Sequence, residues 1–276
     1  MLENIDQQTV DSFGQEWNRF QQSKLSGEES SFIFRQYFSI FPWELISKEA
    51  EGFDMGCGTG RWAAHVAKKV GLLHCIDPSS AIDVAKSNLR DFNNVVFYKS
   101  SADTVRIQKG SQDFGYSLGV LHHVPDHTSA IRSCVELLKP GSPFLLYLYS
   151  SFDNRPGWYK QIWRVSNIFR LAISSLPVFV KKPACDAIAL FVYFPLANFA
   201  RVLEKFGISV NNIPLADYRK RSFYSMRTDS YDRFSTPLEK RFSKLDIVEL
   251  MEGAGLENIK FRSDSPFWVA VGTRAF

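Results

Sequence analysis

The sequence offers no cysteine framework. Its four cysteines, Cys57, Cys75, Cys134 and Cys185, lie far apart with no CxxC, which excludes a zinc ribbon, a small disulfide scaffold and a dithiol redox motif. It opens on no charged-then-apolar leader, so the thiols are read as reduced and the expected location is the cytoplasm. Internal repeats and low-complexity tracts are also missing. The apolar run at residues 187–197 is too short to span a bilayer and contains Pro195, which predicts a lid or core helix instead of a membrane segment. Excess charge is small too, at +4 over 276 residues, but it is unevenly placed. Residues 151–235 hold 13 Lys and Arg against 6 Asp and Glu, so this stretch carries +7 and the remainder about −3.

What is present is an ordinary globular composition, 45% hydrophobic and 22% charged, in a chain long enough for a full core. Short strand-like runs at residues 52–55, 72–76, 95–98, 114–118 and 144–149 alternate with helical patterns at 61–70, 80–91 and 127–138. This is a βαβ series. It predicts an α/β fold with a parallel, doubly wound sheet whose crevice lies beyond the carboxyl ends of the strands. The rhythm breaks after Tyr149, where helical patterns at 159–173 and 184–206 point to a mainly helical insertion. Alternation returns at 244–254, 259–262 and 268–273. Before the sheet, Phe13, Trp17 and Phe20 recur at helix spacing, and a second helical pattern at 32–41 ends before Pro42. The reading is therefore an N-terminal helical cap at 1–45, an α/β core at 46–150, an insertion at 151–235, and a closing helix and strands at 236–276.

The chemistry concentrates at the strand tips. Asp54-Met55-Gly56-Cys57-Gly58-Thr59-Gly60 sits where the first strand hands over to a helix, and glycines there let a ligand approach the backbone without meeting a Cβ. The G-x-G-x-G spacing differs from the dinucleotide G-x-G-x-x-G, and no Lys-Ser or Lys-Thr follows as in a triphosphate loop. Asp77 ends the next apolar run and could accept both hydroxyls of an unphosphorylated ribose. Asp103, after Ala102 and the third strand, could accept from an adenine amine. Each aspartate also suits a helix N-cap, and Cys57 suits simple packing.

Taken with Ile76-Asp77-Pro78-Ser79, Ser101-Ala102-Asp103, the run from Leu118 to Asp126 (LGVLHHVPD) and Leu137-Leu138-Lys139-Pro140-Gly141, the glycine loop resembles that of class I methyltransferases. Within them the resemblance is to the group that includes ubiquinone and menaquinone methyltransferases and many sugar and natural-product O-methyltransferases. It implies a Rossmann-like, seven-stranded sheet whose last strand is antiparallel, with S-adenosylmethionine as cofactor. It also implies that Asp54, Gly56, Cys57, Gly58 and Gly60 face the methionine part, Asp77 and Pro78 the ribose, Ala102 and Asp103 the adenine, and Leu118 and Gly119 the cofactor's edge. The polar first strand, Glu51-Gly52-Phe53, departs from the pattern.

His122 and His123 follow the fourth strand at the edge of the expected cleft and are the candidate bases for removing a hydroxyl proton. No metal is expected, because His127 starts a helix leading away from them. The expected acceptor is a small molecule: a sugar, a glycolipid precursor or an isoprenoid ring. Tyr218, Arg219, Arg221, Phe223, Tyr224, Arg227, Tyr231 and Arg233 interleave rings with cations, which suits an anionic or lipid-linked acceptor. Nucleic acid is disfavoured because no recognisable RNA module accompanies the run. Peripheral contact with a membrane surface is the competing use of the basic insertion, and a non-catalytic adenosylmethionine-binding module is a third reading. Either a monomer or a homodimer is compatible with the sequence.

Overall fold

The computed structural model describes residues 3–22, 24–262 and 268–276, so residues 1, 2 and 23 of the expected cap, and 263–267 of the closing segment, lie outside the described residues. The chain divides into two compact units. One comprises Met1–Gln22, Ser30–Ser150 and Leu238–Phe276, the other Ser23–Glu29 and Ser151–Pro237.

The first unit holds the sheet. Its strands are β1 (Glu51–Met55), β2 (Leu72–Ile76), β3 (Val95–Tyr98), β4 (Phe114–Leu118), β5 (Pro143–Leu148), β6 (Leu256–Phe261) and β7 (Trp268–Arg274), in the order β3-β2-β1-β4-β5-β7-β6. Strands β1 to β5 pair in parallel, while β7 runs antiparallel to both β5 and β6. This is the expected seven-stranded arrangement with its last strand reversed. The order switches direction between β1 and β4, the place where such sheets open a crevice.

All six residues of β5 are buried because helices cover both faces, and the pleat sends them to opposite sides. Phe144, Leu146 and Leu148 join Leu121, Ile131, Cys134, Ile247 and Met251 in one core. Leu145 and Tyr147 join Phe34, Phe38, Trp62, Val66 and Ile82 in the other. The polar look of the first strand has a packing cause: a Cβ on Gly52 would lie 2.3 Å from the Phe114 ring, and one on Gly115 2.2 Å from Phe53. Two glycines thus let two large rings sit fully buried against neighbouring strands.

Helices of this unit are α1 (Gln7–Arg19), α2 (Gly27–Tyr37, whose first residues belong to the second unit), α3 (Ala63–Val66), α4 (Ala81–Asn88) and α5 (His127–Leu137). The helix expected over 61–70 is shorter than its pattern. Its flanks close i→i+3 bonds, His65 N–H to Trp62 O and Lys69 N–H to Val66 O, so the chain tightens into turns on either side. Asp126 caps α5 by accepting from the Ser129 N–H at 3.0 Å.

The second unit is helical, with α6 (Gly157–Ser174), α7 (Val178–Ile188), α8 (Phe194–Lys205) and α9 (Phe223–Ser235). Pro195 does not break the chain as its sequence position suggests. Residues 178–205 form one continuous helix, in which a π-helical turn at Ala189–Tyr193 precedes the proline and places it in the first turn of α8, where a missing N–H is tolerated. Nor is this a core helix, since only 22% of its most apolar window is buried. The last helix of this section, α10 (Lys244–Gly253), returns to the first unit behind a Ser243–Asp246 capping box.

Candidate functional site

The site grows from the tips of β1 and β2. Gly56, Gly58 and Gly60 all adopt positive φ, at 79°, 53° and 76°, so the loop folds back on itself in a form that other residues resist. A Cβ on Gly56 would meet Val120 at 2.4 Å, and one on Gly60 would meet Leu89 at 2.6 Å. The loop's amides are already engaged. Gly56 and Cys57 donate to Ile76 O at 2.8 and 3.0 Å, Gly60 donates to Cys57 O at 2.8 Å, and Gly58 donates to Asp77 Oδ2 at 2.9 Å. Such a loop cannot turn those N–H groups on a pyrophosphate.

Two carboxylates face this loop. Asp77 is 8% exposed, and its Oδ1 accepts from the Ser79 N–H at 2.9 Å and the Ser79 hydroxyl at 2.6 Å. Burial raises its pKa, with the Ser79 and Gly58 hydrogen bonds opposing. Asp54 is 2% exposed at the end of β1, where burial pushes its pKa up to about 8. Tyr116 opposes that rise and the charge of Asp77 adds to it. Neither Asp54 Oδ2 nor the Tyr116 hydroxyl closes a hydrogen bond of normal geometry. An unsatisfied buried carboxylate oxygen costs free energy unless a donor arrives. The pair therefore suits a ligand that brings a cation and hydroxyl groups. Cys57 stays a neutral thiol, its pKa raised by burial, and its Sγ contacts Gly58 O at 3.9 Å.

Helix α1 lies over the same loop. A Cβ on Gly58 would stand 3.4 Å from the Trp17 indole nitrogen, and one on Gly14 2.6 Å from Ser80 Oγ. Phe20 is buried as expected, but α1 also turns a polar stripe inward: Thr9, Ser12 and Glu16 are buried, Glu16 fully. Ahead of the helix, Asn4 ties two loops together, its N–H donating to Asp103 Oδ2 at 3.1 Å and its side chain exchanging hydrogen bonds with the Asp126 backbone.

On the other side of β1, Gly119 (φ 76°) follows β4 and leads into a single turn, Leu121–His123. His122 is fully buried between His123 and Tyr149, with ring centroids 3.9 Å from each. Neither ring nitrogen has a hydrogen-bond partner. Burial drives its pKa well below the ordinary histidine value, so this ring is neutral. His123 is anchored differently. Its Nδ1 lies 2.6 Å from Leu238 O, so Nδ1 carries the proton and donates, which leaves the lone pair on Nε2. The Phe13 ring of α1 packs edge-on against it at 4.9 Å. Behind the pair, Arg241 sits over the Tyr149 ring at 5.2 Å and is held by Glu239 at 2.7 Å.

Residues 53–146 match the family model of the Methyltransferase domain. Residues 53–146 form a methyltransferase domain. Similar proteins include a ubiquinone biosynthesis O-methyltransferase of Nitrosospira multiformis, 33% identical over 109 residues that cover 38% of this chain and 44% of the relative. Another, of the same name, is from Vibrio parahaemolyticus, 29% identical over 150 residues that cover 50% of this chain and 61% of the relative. The chain spans about half the length of these curated relatives. In fold it is similar to a SAM-dependent methyltransferase of Methanosarcina mazei, with a TM-score of 0.52 at 16% identity, covering 86% of this chain and 98% of the other. It is also similar to the 1,6-didemethyltoxoflavin-N1-methyltransferase of Burkholderia thailandensis, with a TM-score of 0.52 at 13% identity, covering 96% and 85%.

In the methyltransferase domain, Asp54, the glycine loop, Asp77 and Pro78 converge at the tips of β1 and β2, while Leu118 ends the neighbouring β4 and Gly119 follows it. Ala102 is half-buried beside the α5 core. Asp103 differs from its companions. It is exposed, and its carboxylate already accepts from Asn4 N–H and from Ser101 Oγ at 2.8 Å. The sequence reading missed Tyr149, Leu238, Glu239, Arg241 and Asn4, and of these only Tyr149 carried a signal, by standing at the tip of a strand. The aromatic-basic run also has a different use from the one expected of it. Arg227 pairs with both Asp186 oxygens at 2.9 and 3.0 Å, Arg221 with Asp217 and Asp229, and Arg219 with Glu204. Tyr231 is wholly buried. These side chains hold the helical unit together, and they do so because the acids that neutralise them come from α7, α8, α9 and the turn at Ala216–Lys220.

Proposed function

We propose that this protein transfers a methyl group from S-adenosylmethionine to a hydroxyl on a small molecule, with a hydroxylated isoprenoid ring as the acceptor class. The observation that carries the cofactor reading is the glycine loop, whose amides are engaged internally while two buried carboxylates stand beside it. A dinucleotide would bring a pyrophosphate to donors that are already spent. Adenosylmethionine would bring an ammonium to Asp54 and ribose hydroxyls to Asp77, with Leu118 and Gly119 at its edge. The cofactor supplies an electrophilic methyl on a sulfonium. The protein's part is to align the acceptor, exclude water and take the hydroxyl proton. His123 is the proposed base, because the bond to Leu238 O fixes the tautomer that leaves Nε2 basic. His122 is a neutral ring that holds His123 and Tyr149 in place. The acceptor class is supported by two relatives that bear the name of ubiquinone biosynthesis O-methyltransferase.

Isothermal calorimetry tests the cofactor reading directly. Adenosylhomocysteine is expected to bind with micromolar affinity and NAD with no measurable heat, and tighter binding of NAD would overturn the assignment.

A second expectation concerns pH. In the free protein Asp54 is neutral below about pH 8, and its raised pKa adds stability that is fully present below the unfolded value of 3.8 and lost as pH rises through about 8. A ligand ammonium requires the ionised form. Adenosylhomocysteine binding should therefore release a proton below pH 8 and weaken by up to about tenfold per pH unit as pH falls towards 6. Titrations in buffers of different ionisation enthalpy measure the proton. Affinity that is flat from pH 6 to 8.5 with no proton exchange would remove Asp54 from the ammonium site.

A further inference from the structure

The second unit leaves uncovered an apolar surface that its own packing does not explain. Among the described residues, 18 of the 22 large apolar side chains classed as exposed belong to this unit. Monomeric soluble proteins seldom leave so much apolar surface in one region. On α6, Trp158, Ile162, Val165 and Phe169 recur at helical spacing and are 47–60% exposed. On the long helix 178–205, Phe179 and Phe191 are 78% and 73% exposed.

That helix has two distinct sides. Cys185, Ala189, Tyr193, Ala197 and Ala200 are buried at 0–3% exposure. The Cys185 carbonyl accepts from Ser230 Oγ of α9 at 2.9 Å, and the Tyr193 ring meets Tyr218 at 5.0 Å. Residues 187–200 carry no charge, and the 28-residue helix is long and apolar enough to cross a membrane. Its packed side argues against crossing, because the Arg227–Asp186 pair binds its first half to α9 and Ala200 packs against Val210 and Ala216 on its second half. A helix held on one side and apolar on the other lies in an interface.

Charge selects the occupant. The unit carries 13 cations and 6 acids between residues 151 and 235, and four of those acids, Asp186, Glu204, Asp217 and Asp229, are consumed by internal ion pairs. Lys160 and Arg164 flank the α6 stripe, while Lys182 and Lys205 stand near the ends of the long helix. None of the four is in an ion pair among the described residues. A second copy would set these cations against each other. An anionic lipid surface would neutralise them while its acyl boundary took the rings.

We propose that the helical unit docks on an anionic lipid bilayer surface through the uncovered faces of α6 and the 178–205 helix. The full chain should sediment with vesicles of phosphatidylcholine and phosphatidylglycerol at low salt, bind pure phosphatidylcholine at least tenfold more weakly, and be released by high salt. Lys160→Glu with Lys182→Glu should weaken partitioning by at least about 30-fold, and Phe179→Ser with Phe191→Ser by at least about tenfold. All four positions are wholly or partly solvent-accessible, and thermal melts of the variants check that folding is intact. Failure of the parent chain to sediment with anionic vesicles overturns the proposal. So does a solution dimer, seen by light scattering, that the phenylalanine variant dissociates while vesicles bind neither form. Resistance of the bound protein to both high salt and alkaline washing would also overturn it, in favour of a spanning helix.

Discussion

His123→Ala is expected to lower turnover of a hydroxylated acceptor by about 10²- to 10⁴-fold while leaving adenosylhomocysteine affinity within about threefold. The magnitude is the usual worth of a positioned base. The separation of the two readouts follows from geometry. His123 belongs to the turn after β4, not to the glycine loop, and its ring Nδ1 is hydrogen-bonded to Leu238 O. Removing the ring takes away the basic Nε2 and the partner of Phe13, but none of the bonds that shape residues 56–60. His122→Ala makes the contrasting case. That ring is fully buried and neutral and is packed against Tyr149, so its loss opens a cavity. It should cost about 2–4 kcal/mol of stability in a denaturant melt, with a smaller effect on turnover per folded molecule. Equal loss of turnover in a folded His122→Ala and in His123→Ala would move the base from His123 to the pair. An His123→Ala enzyme that keeps more than about a third of its turnover would remove general base catalysis from this site.

The parts legible in the sequence are those set by local pattern. Strands β1 to β5 stand within a residue or two of the expected runs because each is a short, largely apolar stretch bounded by turn residues. The glycine loop was readable because three positive-φ positions admit few other residues. Less legible were features decided by packing across long separations. Gly52 looked like a weak strand residue until Phe114, 62 positions later, was found filling its missing side chain. Helix α9 was hidden because several of its buried positions, Ser225, Thr228, Ser230 and Ser235, are polar, so no apolar period marks it. Pro195 suggested a break that the π-helical turn before it absorbs. The cluster behind His122 draws Tyr149 from one strand tip and Leu238 to Arg241 from about 90 residues later, and no spacing rule connects them. The basic run misled for a related reason: two of its neutralising acids, Asp186 and Glu204, stand well before the stretch from Tyr218 to Arg233 and reach it only through the fold.

Asp77→Ala should weaken adenosylhomocysteine binding by at least about 100-fold, or roughly 3 kcal/mol, since each hydrogen bond to a charged group is worth about 1.5–3 kcal/mol. Two effects add. The variant removes the proposed acceptor of two ribose hydroxyls, and it releases the loop, because Asp77 Oδ2 is the partner of the Gly58 N–H. Gly58 is a residue at φ 53° that Trp17 covers, so an unpaired N–H there would favour a different loop form and cost a further 1–3 kcal/mol of stability. Asp77→Asn separates the two contributions. Its single carbonyl oxygen can accept either from Ser79 or from the Gly58 N–H, but not from both, so it should recover only part of the stability and none of the ribose affinity. Ser79→Ala tests the orientation of the carboxylate. It removes the 2.6 Å hydroxyl bond to Oδ1 and keeps the backbone one, and should weaken binding by only about tenfold. Calorimetry with adenosylhomocysteine, alongside thermal melts, reads all three. If folded Asp77→Ala binds within about threefold of the parent, the ribose is held elsewhere and Asp77 is a loop anchor only.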